Sequence, residues 1–405
     1  MLVLRMPLMF AFAAATACGD QASLTTEVAL RAPAARAGDA VKFWESGASV
    51  YWNAVARDQI AKHASSPFVA IRLLAILGTA QYNAVIAAEN GKSGPNHPSP
   101  AAAVAAASAA ALEYVYPDQT SEIESLIAAQ LAAPAWPGGD NGDPQTGQTI
   151  GRSVAAQVVA RATTDRFFAP FTGTVPVGPG LWFSSLIPPA PPAGATLGKA
   201  RTYFLDSGDQ FRLGPPPAFG SPDYLAALGE VRHISDTRTA EQVAIANFWA
   251  FPNGTITPPG FWNKQAAELA VRHRLNERDA AHLFALLNMA GFDAIVSCFD
   301  TKFAYWFIRP TQADPLITLV VALPNFPSYP SAHACVSGAM TTILGATFPS
   351  ERQALDSMAE QAALSRVYGG LHYRFDGDDG LRLGRRVAGL ALSNDVHGIQ
   401  PFTLK

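Results

Sequence analysis

Residues 330–348 read PSAHACVSGAMTTILGATF, and this stretch decides how the chain is interpreted. The apolar composition from Ala334 to Phe348 predicts a helix, with Ser331 at its N-cap or in its first turn. The amides of Ala332 and His333 would then point out of the helix end. Unpaired N–H groups and the helix dipole attract anions. The stretch therefore predicts an anion site to which Ser331 adds a hydroxyl.

Three cationic side chains in flanking segments fit the same anion. Lys302 and Arg309 precede the stretch, and Arg366 follows it in a Ser-Arg pair. Arginine grips two oxygens with a planar fork, whereas lysine acts as a movable point charge. We therefore assign Lys302, Arg309 and Arg366 to a compact oxyanion such as phosphate.

Two histidines and an aspartate predict chemistry beyond binding. His372 and Asp376 are four residues apart, which on a helix places them on one face. A carboxylate on one imidazole nitrogen orients the other nitrogen and raises its basicity. We expect His372 to be a ligand or a nucleophile and His333, on a separate segment, to be its acid–base partner.

Together these segments resemble the signature shared by vanadium-dependent haloperoxidases and type-2 phosphatidic acid phosphatases. The resemblance covers roughly residues 291–376 and departs at Ala332, where the family usually has glycine. It implies vanadate, or phosphate in the phosphatases, bound axially at His372. Its oxygens would be held by these groups: Lys302, Arg309, Ser331, the Ala332 amide and Arg366.

Two observations narrow the choice within this superfamily: the first indicates a soluble member, either a haloperoxidase-like enzyme or an acid phosphatase, and the second favours the haloperoxidases. No unbroken run of about 20 apolar residues, as the membrane-bound lipid phosphatases need, follows the first 18 residues. Residues 19–301 are also long enough for an additional helical bundle. Phe326 is similar to the phenylalanine that chloride-oxidising members carry beside the oxyanion, so it is the candidate for the halide site, although core packing is an alternative.

The resemblance implies an enzyme that oxidises halide with hydrogen peroxide and halogenates a small organic substrate. His333 would take a proton from hydrogen peroxide, and Lys302 would polarise it. The alternative is a soluble acid phosphatase in which His372 attacks a phosphate monoester, giving a phosphohistidine. A lesser alternative is a non-catalytic oxyanion-binding lipoprotein. The resemblance also implies a possible homodimer.

Helical periodicity dominates from Phe43 onward, and nothing alternates convincingly as a strand. We expect an all-α fold of two packed helical bundles, with the oxyanion site in the C-terminal bundle. One helix, Glu277 to Phe307, would deliver Lys302 and be ended by Arg309-Pro310. We predict a signal peptide at 1–18, a flexible tether at 19–40 and an N-terminal helical bundle at 41–165. A Pro/Gly-rich loop or lid at 166–222 then leads to the catalytic domain at 223–405.

The first residues predict export from a bacterial cytoplasm. An apolar stretch ends in Ala15-Thr16-Ala17-Cys18, which is typical of a lipoprotein signal with a lipid anchor at Cys18. The protein would be periplasmic or membrane-anchored. Cys298 and Cys335 are left, and these could form a single bridge or remain buried thiols. A net charge of -3 with 15% charged residues excludes an overall basic nucleic-acid binder.

Overall fold

The computed structural model describes residues 40–91, 97–132 and 142–404. The predicted signal peptide, its Cys18 and nearly all of the predicted tether lie outside the described residues. Within them the chain forms α-helices joined by loops, with two isolated β-bridges and no strand, which confirms the predicted all-α class. The helices are α1 Ala40–Lys62, α2 Pro67–Glu89, α3 Pro100–Val115, α4 Thr120–Ala132, α5 Pro144–Thr163, α6 Pro222–Thr237, α7 Ala240–Phe248, α8 Thr257–Arg272, α9 Glu277–Tyr305, α10 Pro310–Ala313, α11 Ala332–Thr347, α12 Arg352–Tyr368 and α13 Arg374–Ser393.

Several helices begin at a serine or aspartate followed by proline. At each such start the side-chain oxygen accepts the amide three residues on, and proline occupies the first helical position. Proline has no amide to leave unpaired there, and its φ suits a helix. The capping residues are Ser66, Ser99, Asp143 and Ser221.

Helices α2 and α9 form the centre of the molecule. They approach so closely that a Cβ added at Gly78 would lie 2.7 Å from the carbonyl oxygen of Phe284. Both helices are long and apolar enough to cross a membrane by length and composition, but 94% of the most apolar window of each is buried within the protein. The sequence expectation that no such segment follows residue 18 was therefore wrong. Burial inside the fold explains these helices' apolarity.

The described residues form two large hydrophobic cores and a small third cluster. One lies among α1 to α5, and the other joins α9, α11, α12 and α13 to further side chains from α1, α2 and α3. Because α2 contributes to both cores, the two helical halves share an extensive interface. The division into domains stays a prediction.

Residues 166–221 form a long ordered loop whose regular structure is limited to the 3-10 turn Leu197–Lys199. It packs against the C-terminal half of α9: the amides of Tyr203, Phe204 and Leu205 donate to the buried carboxylate of Asp293. The loop therefore buttresses the helix that carries Lys302.

Glycines bring α11 and α13 into close contact. A Cβ at Gly384 would lie 2.1 Å from the carbonyl oxygen of Cys335, and one at Gly338 would lie 2.6 Å from that of Leu381. No side chain fits at either distance. This crossing sets the start of α11 beside the start of α13, where the candidate site lies.

Candidate oxyanion site

The structure gathers the predicted site residues at one buried location. They come from the end of α9, the segment 306–331, the start of α11, the last turn of α12 and the approach to α13. Members of this group, here called the cradle, are Lys302, Arg309, Ser331, Ala332, His333, Arg366, His372 and Asp376.

Lys302 lies in the last turn of α9 and is fully buried. Its ammonium donates to the carbonyl oxygens of Pro327 at 3.0 Å and Ser328 at 2.7 Å, and also to that of Pro330. Burial and, less strongly, Arg309 lower the pKa of Lys302 to about 8. The lysine therefore fixes the loop that leads into α11 and places a positive charge behind it.

Arg309 does not end α9 as predicted. The helix ends at Tyr305. The next residue, Trp306, has a left-handed conformation with φ 50°, and its amide donates to the Lys302 carbonyl at 2.9 Å. Arg309 is extended, as its position before Pro310 favours, and it instead begins the short helix α10.

The Arg309 guanidinium is fully buried in the middle of the cradle. Its Nε donates to the Phe326 carbonyl at 3.0 Å, and Nη1 donates to the Leu371 carbonyl at 2.9 Å and to His372 Nε2 at 3.0 Å. Its Nη2 is buried and has no hydrogen-bond partner among the described residues. Burial lowers the pKa of Arg309 to about 10.

His372 and Asp376 pair, although not on one helical face as predicted. His372 precedes α13, and only Asp376 lies in its first turn. His372 Nδ1–H donates to Asp376 Oδ2 at 2.7 Å, which leaves the Nε2 lone pair facing Arg309. Burial, Arg309 and Lys302 hold the pKa of His372 well below its usual range, so its neutral form persists at neutral pH. The tautomer suits a ligand or a nucleophile at Nε2.

Ser328 completes this pair, and the sequence analysis missed it. Its hydroxyl donates to Asp376 Oδ2 at 2.5 Å and lies 3.4 Å from His372 Nδ1. Burial raises the pKa of Asp376 to about 6, with the Ser328 hydrogen bond opposing this rise. Ser328 lies in the loop that Lys302 holds, but a serine in a proline-rich loop carries no sequence signal of that contact.

Ser331 occupies the N-cap of α11, as predicted, and α11 begins at Ala332 rather than Ala334. The Ser331 hydroxyl makes no capping bond, and this buried oxygen has no hydrogen-bond partner among the described residues. The Ser331 amide donates to the Asp376 carbonyl at 2.8 Å. That bond ties the starts of α11 and α13 together.

His333 lies in the first turn of α11 and is partly accessible from a neighbouring cavity. Its Nε2–H donates to the Trp249 carbonyl at 2.9 Å, a contact from the end of α7 that the sequence did not indicate. Burial among apolar groups and the Arg366 charge hold the pKa of His333 well below its usual range. His333 is therefore neutral here at neutral pH and able to accept a proton.

Arg366 is buried, and no carboxylate among the described residues pairs with it. It donates from Nε to Ser365 Oγ at 3.0 Å and from Nη2 to the Ala246 carbonyl at 2.9 Å. Asp293 on α9 accepts the loop amides and Asp300 pairs with Arg212 at 2.6 Å, so neither of these carboxylates pairs with Arg366. Burial and Arg309 lower the pKa of Arg366 to about 9.

Phe326 lies against both neighbouring cations of the cradle. Its ring centroid is 5.2 Å from Lys302 Nζ and 5.1 Å from the central carbon of the Arg309 guanidinium. Cys298 and Cys335 are buried free thiols in the same region, so the bridge left open by the sequence does not form. Burial and contact with Cys298 raise the pKa of Cys335 well above its usual range.

The donor set fits a tetrahedral oxyanion such as vanadate. Three buried cations share one carboxylate within the cradle, and burying such unbalanced charge is costly unless a counterion is present. Arg309 Nη2 and Ser331 Oγ are buried hydrogen-bonding groups whose capacity the described residues do not use. No His, Cys, Asp or Glu cluster suited to a bare metal cation occurs in the described residues.

Part of this chain is similar to a known superfamily and to a known enzyme. Residues 281–394 match the PAP2 superfamily. The chain is 28% identical over 185 residues to the vanadium chloroperoxidase of Curvularia inaequalis, a match covering 35% of this chain and 30% of that protein.

Solved structures show the same fold over most of the chain. The first bacterial vanadium-dependent iodoperoxidase matches with a TM-score of 0.72 and 24% identity, covering 86% of this chain and 95% of that one. The holo form of a bacterial vanadium-dependent chloroperoxidase matches with a TM-score of 0.67 and 15% identity, covering 85% and 96%. The all-α fold is thus that of bacterial vanadium haloperoxidases.

Proposed function

We propose that this protein is a vanadate-dependent haloperoxidase that oxidises halide with hydrogen peroxide. The observation that carries the proposal is the pairing, within one buried cradle, of an oriented His372 Nε2 with unused donors on Arg309 and Ser331. The proposal is also supported by the fold shared with vanadium haloperoxidases and by the similarity to the Curvularia inaequalis chloroperoxidase.

His372 would hold vanadate through Nε2, with Asp376 keeping Nδ1 protonated and Arg309 Nη1 giving up its present hydrogen bond to Nε2. The oxygens would be held by Arg309, Ser331, the Ala332 amide and Arg366. Lys302, whose three N–H groups donate to main-chain carbonyls, would contribute its positive charge. Bound vanadate would supply the Lewis acidity that activates hydrogen peroxide toward halide. These side chains are held in place before any substrate arrives, and such preorganised charge in a dry site is worth more than in water.

His333 would hold and move the proton of hydrogen peroxide. Its depressed pKa keeps it neutral in the folded protein, so it can accept that proton. Lys302 would supply positive charge toward the developing negative charge on peroxide oxygen. Phe326 would give an arriving halide an apolar face beside the two cations Lys302 and Arg309.

A paired assay tests the proposal. The purified protein is loaded with vanadate and given peroxide, a phenolic indicator and chloride, bromide or iodide, while a second sample without vanadate receives an aryl phosphate. We expect halogenation that requires vanadate and disappears in His372→Ala. The exposed His233 on α6 provides the control His233→Ala, which should retain activity.

Phosphate release that vanadate inhibits, with no halogenation, would overturn the proposal in favour of an acid phosphatase. Vanadate binding with neither activity would overturn it in favour of a non-catalytic oxyanion-binding protein. Export, a lipid anchor and a homodimer stay predictions.

A further inference from the structure

A cavity of about 480 Å³ lies directly against the cradle. That volume falls within the range of roughly 300–1,000 Å³ typical of small-molecule sites. Its cradle-facing side is formed by Phe326, Ala332, His333, Arg366 and Leu371. A molecule held in the cavity would therefore contact the groups assigned to peroxide and halide chemistry.

The other residues that line the cavity come from both helical halves of the molecule. Phe68 and Ile71 lie on α2, Ile295 on α9 and Val336 on α11, while Val321 belongs to the loop before Phe326. No residue of the long loop 166–221 is among the described residues that line the cavity, so the lid role considered for that loop receives no support from these contacts.

The lining is almost entirely apolar. Among the described lining residues, only Asn247, His333 and Arg366 have polar side chains, and the last two belong to the cradle. Transfer of a charged group from water onto such walls without a partner is costly. An anionic substrate could pair with Arg366 only in competition with the oxyanion.

We propose that this cavity binds a neutral, electron-rich arene and presents it to the oxidised halogen where that halogen forms. The inference rests on the proposed function. Peroxide oxidises halide by two electrons, so that halide, hydrogen peroxide and a proton give hypohalous acid and water. The bound arene then exchanges a carbon-bound hydrogen for halogen, and that hydrogen leaves with the hypohalite oxygen as water.

Direct binding tests the cavity independently of turnover. Calorimetry with the full chain, with phosphate added to occupy the cradle and no vanadate present, compares neutral 2-naphthol with its sulfonated anion 2-naphthol-6-sulfonate. We expect 2-naphthol to bind at least roughly tenfold more tightly, a difference of about 1.4 kcal/mol. Equal affinities, or binding of neither compound, would overturn the proposal.

Two exposed positions at the cavity allow it to be narrowed without disturbing the core. Ala322 lies in a loop and Asn247 on α7, and both line the cavity with exposed side chains. Ala322→Trp and Asn247→Trp should each weaken 2-naphthol binding, whereas Ala226→Trp on the exposed face of α6 should not. Unchanged binding in both cavity variants would place the arene elsewhere and contradict the proposal.

Competitive halogenation of 2-naphthol and its sulfonate tests whether the cavity presents its substrate to the oxidised halogen. The vanadate-loaded protein should favour 2-naphthol over the sulfonate more strongly than free hypohalous acid does. Ala322→Trp should lower this preference to that of free hypohalous acid. A product ratio equal to that of free hypohalous acid would show release of the oxidant into solution. If no halogenation occurs at all, the proposed function fails, and the binding results alone decide whether the cavity recognises neutral arenes.

Discussion

Asp376 is the residue on which the geometry of the cradle depends most. A single carboxylate oxygen accepts hydrogen bonds from Ser328, His372 and the Tyr373 amide, and it is the only carboxylate within the cradle. It thereby sets the tautomer of His372 and offsets part of the buried positive charge. Its other oxygen, Oδ1, has no hydrogen-bond partner among the described residues.

Asp376→Asn should lower vanadate affinity by about 10–100-fold, the usual cost of losing the group that orients a ligating histidine. Asparagine keeps the size of the side chain but loses its charge and one acceptor. Equilibrium dialysis of vanadate measures the change. Asp378→Asn, on the exposed side of the same helix, is the matched control. Equal affinities for both variants would show that Asp376 does not orient His372.

Phe326→His should reduce chloride turnover relative to bromide turnover by roughly tenfold, or about 1.4 kcal/mol in the difference of activation free energies. The imidazole would bring a polar edge and water to the face that now covers Lys302 and Arg309. Steady-state rates with each halide measure the ratio, with Phe219→His at an exposed site as control. If the ratio of chloride to bromide turnover does not change, Phe326 has only a packing role.

At the level of single residues, the sequence predicted the members of the cradle but not most of their partners. Chemistry-bearing residue types with fixed spacing carry that signal. The partners of Lys302 and His333 are main-chain carbonyls, which any residue supplies and no motif marks. Likewise, the sequence does not name the partners of Arg366, which are the Ser365 hydroxyl and the Ala246 carbonyl, because nearness along the chain does not determine contact in space.

Among the elements, the crossing of α11 and α13 controls the distance between the two halves of the cradle. Ser331 and His333 lie at the start of α11, whereas His372 and Asp376 lie at the start of α13. Gly384 has no room for a methyl group against the Cys335 carbonyl. Any side chain there must push the helices apart.

Gly384→Ala should lower the free energy of unfolding by about 1–3 kcal/mol, as for other overpacked interiors, and should also weaken anion binding. Gly389→Ala on the same helix meets no atom within 4 Å and should raise stability by about 0.5–1 kcal/mol through helix propensity. Urea unfolding and phosphate binding measure both effects. A Gly384→Ala protein as stable as the Gly389→Ala protein would contradict the close crossing.

Helix existence was predictable from apolar periodicity, but some helix ends were not. The predicted end of α9 at Arg309-Pro310 rests on a real restriction before proline. The helix ends earlier because Trp306 adopts a left-handed turn, which its residue type does not favour. Tertiary packing of Trp306 against Phe303 and Trp182 accompanies that turn.

For the whole molecule, Glu277 connects the two helical halves. This buried carboxylate at the start of α9 accepts the amides of Ala48 at 2.9 Å and Ser49 at 2.8 Å in α1. Burial raises its pKa from 4.5 to about 7, with the hydrogen bonds from Ser49 and Ala48 opposing the rise. The folded protein therefore keeps this proton at pH values where the unfolded chain has released it.

The stability that Glu277 contributes through this proton is complete below pH 4.5 and is lost as the pH rises through 7. The stability of the wild type minus that of Glu277→Gln should therefore fall, by up to roughly 3 kcal/mol, between pH 4.5 and pH 8. Urea unfolding across that range measures the difference. The exposed Glu241→Gln is the control and should give a flat difference. A flat difference for Glu277 as well would exclude the raised pKa.

A crystal structure of the protein soaked in orthovanadate would show whether the cradle binds an oxyanion. We expect electron density for one oxyanion bonded to His372 Nε2 and contacted by Arg309 Nη2 and Ser331 Oγ, with Arg309 Nη1 displaced from its present bond to His372. Density only elsewhere, or no density with Arg309 Nη1 still donating to His372 Nε2, would contradict an oxyanion-binding cradle at this site.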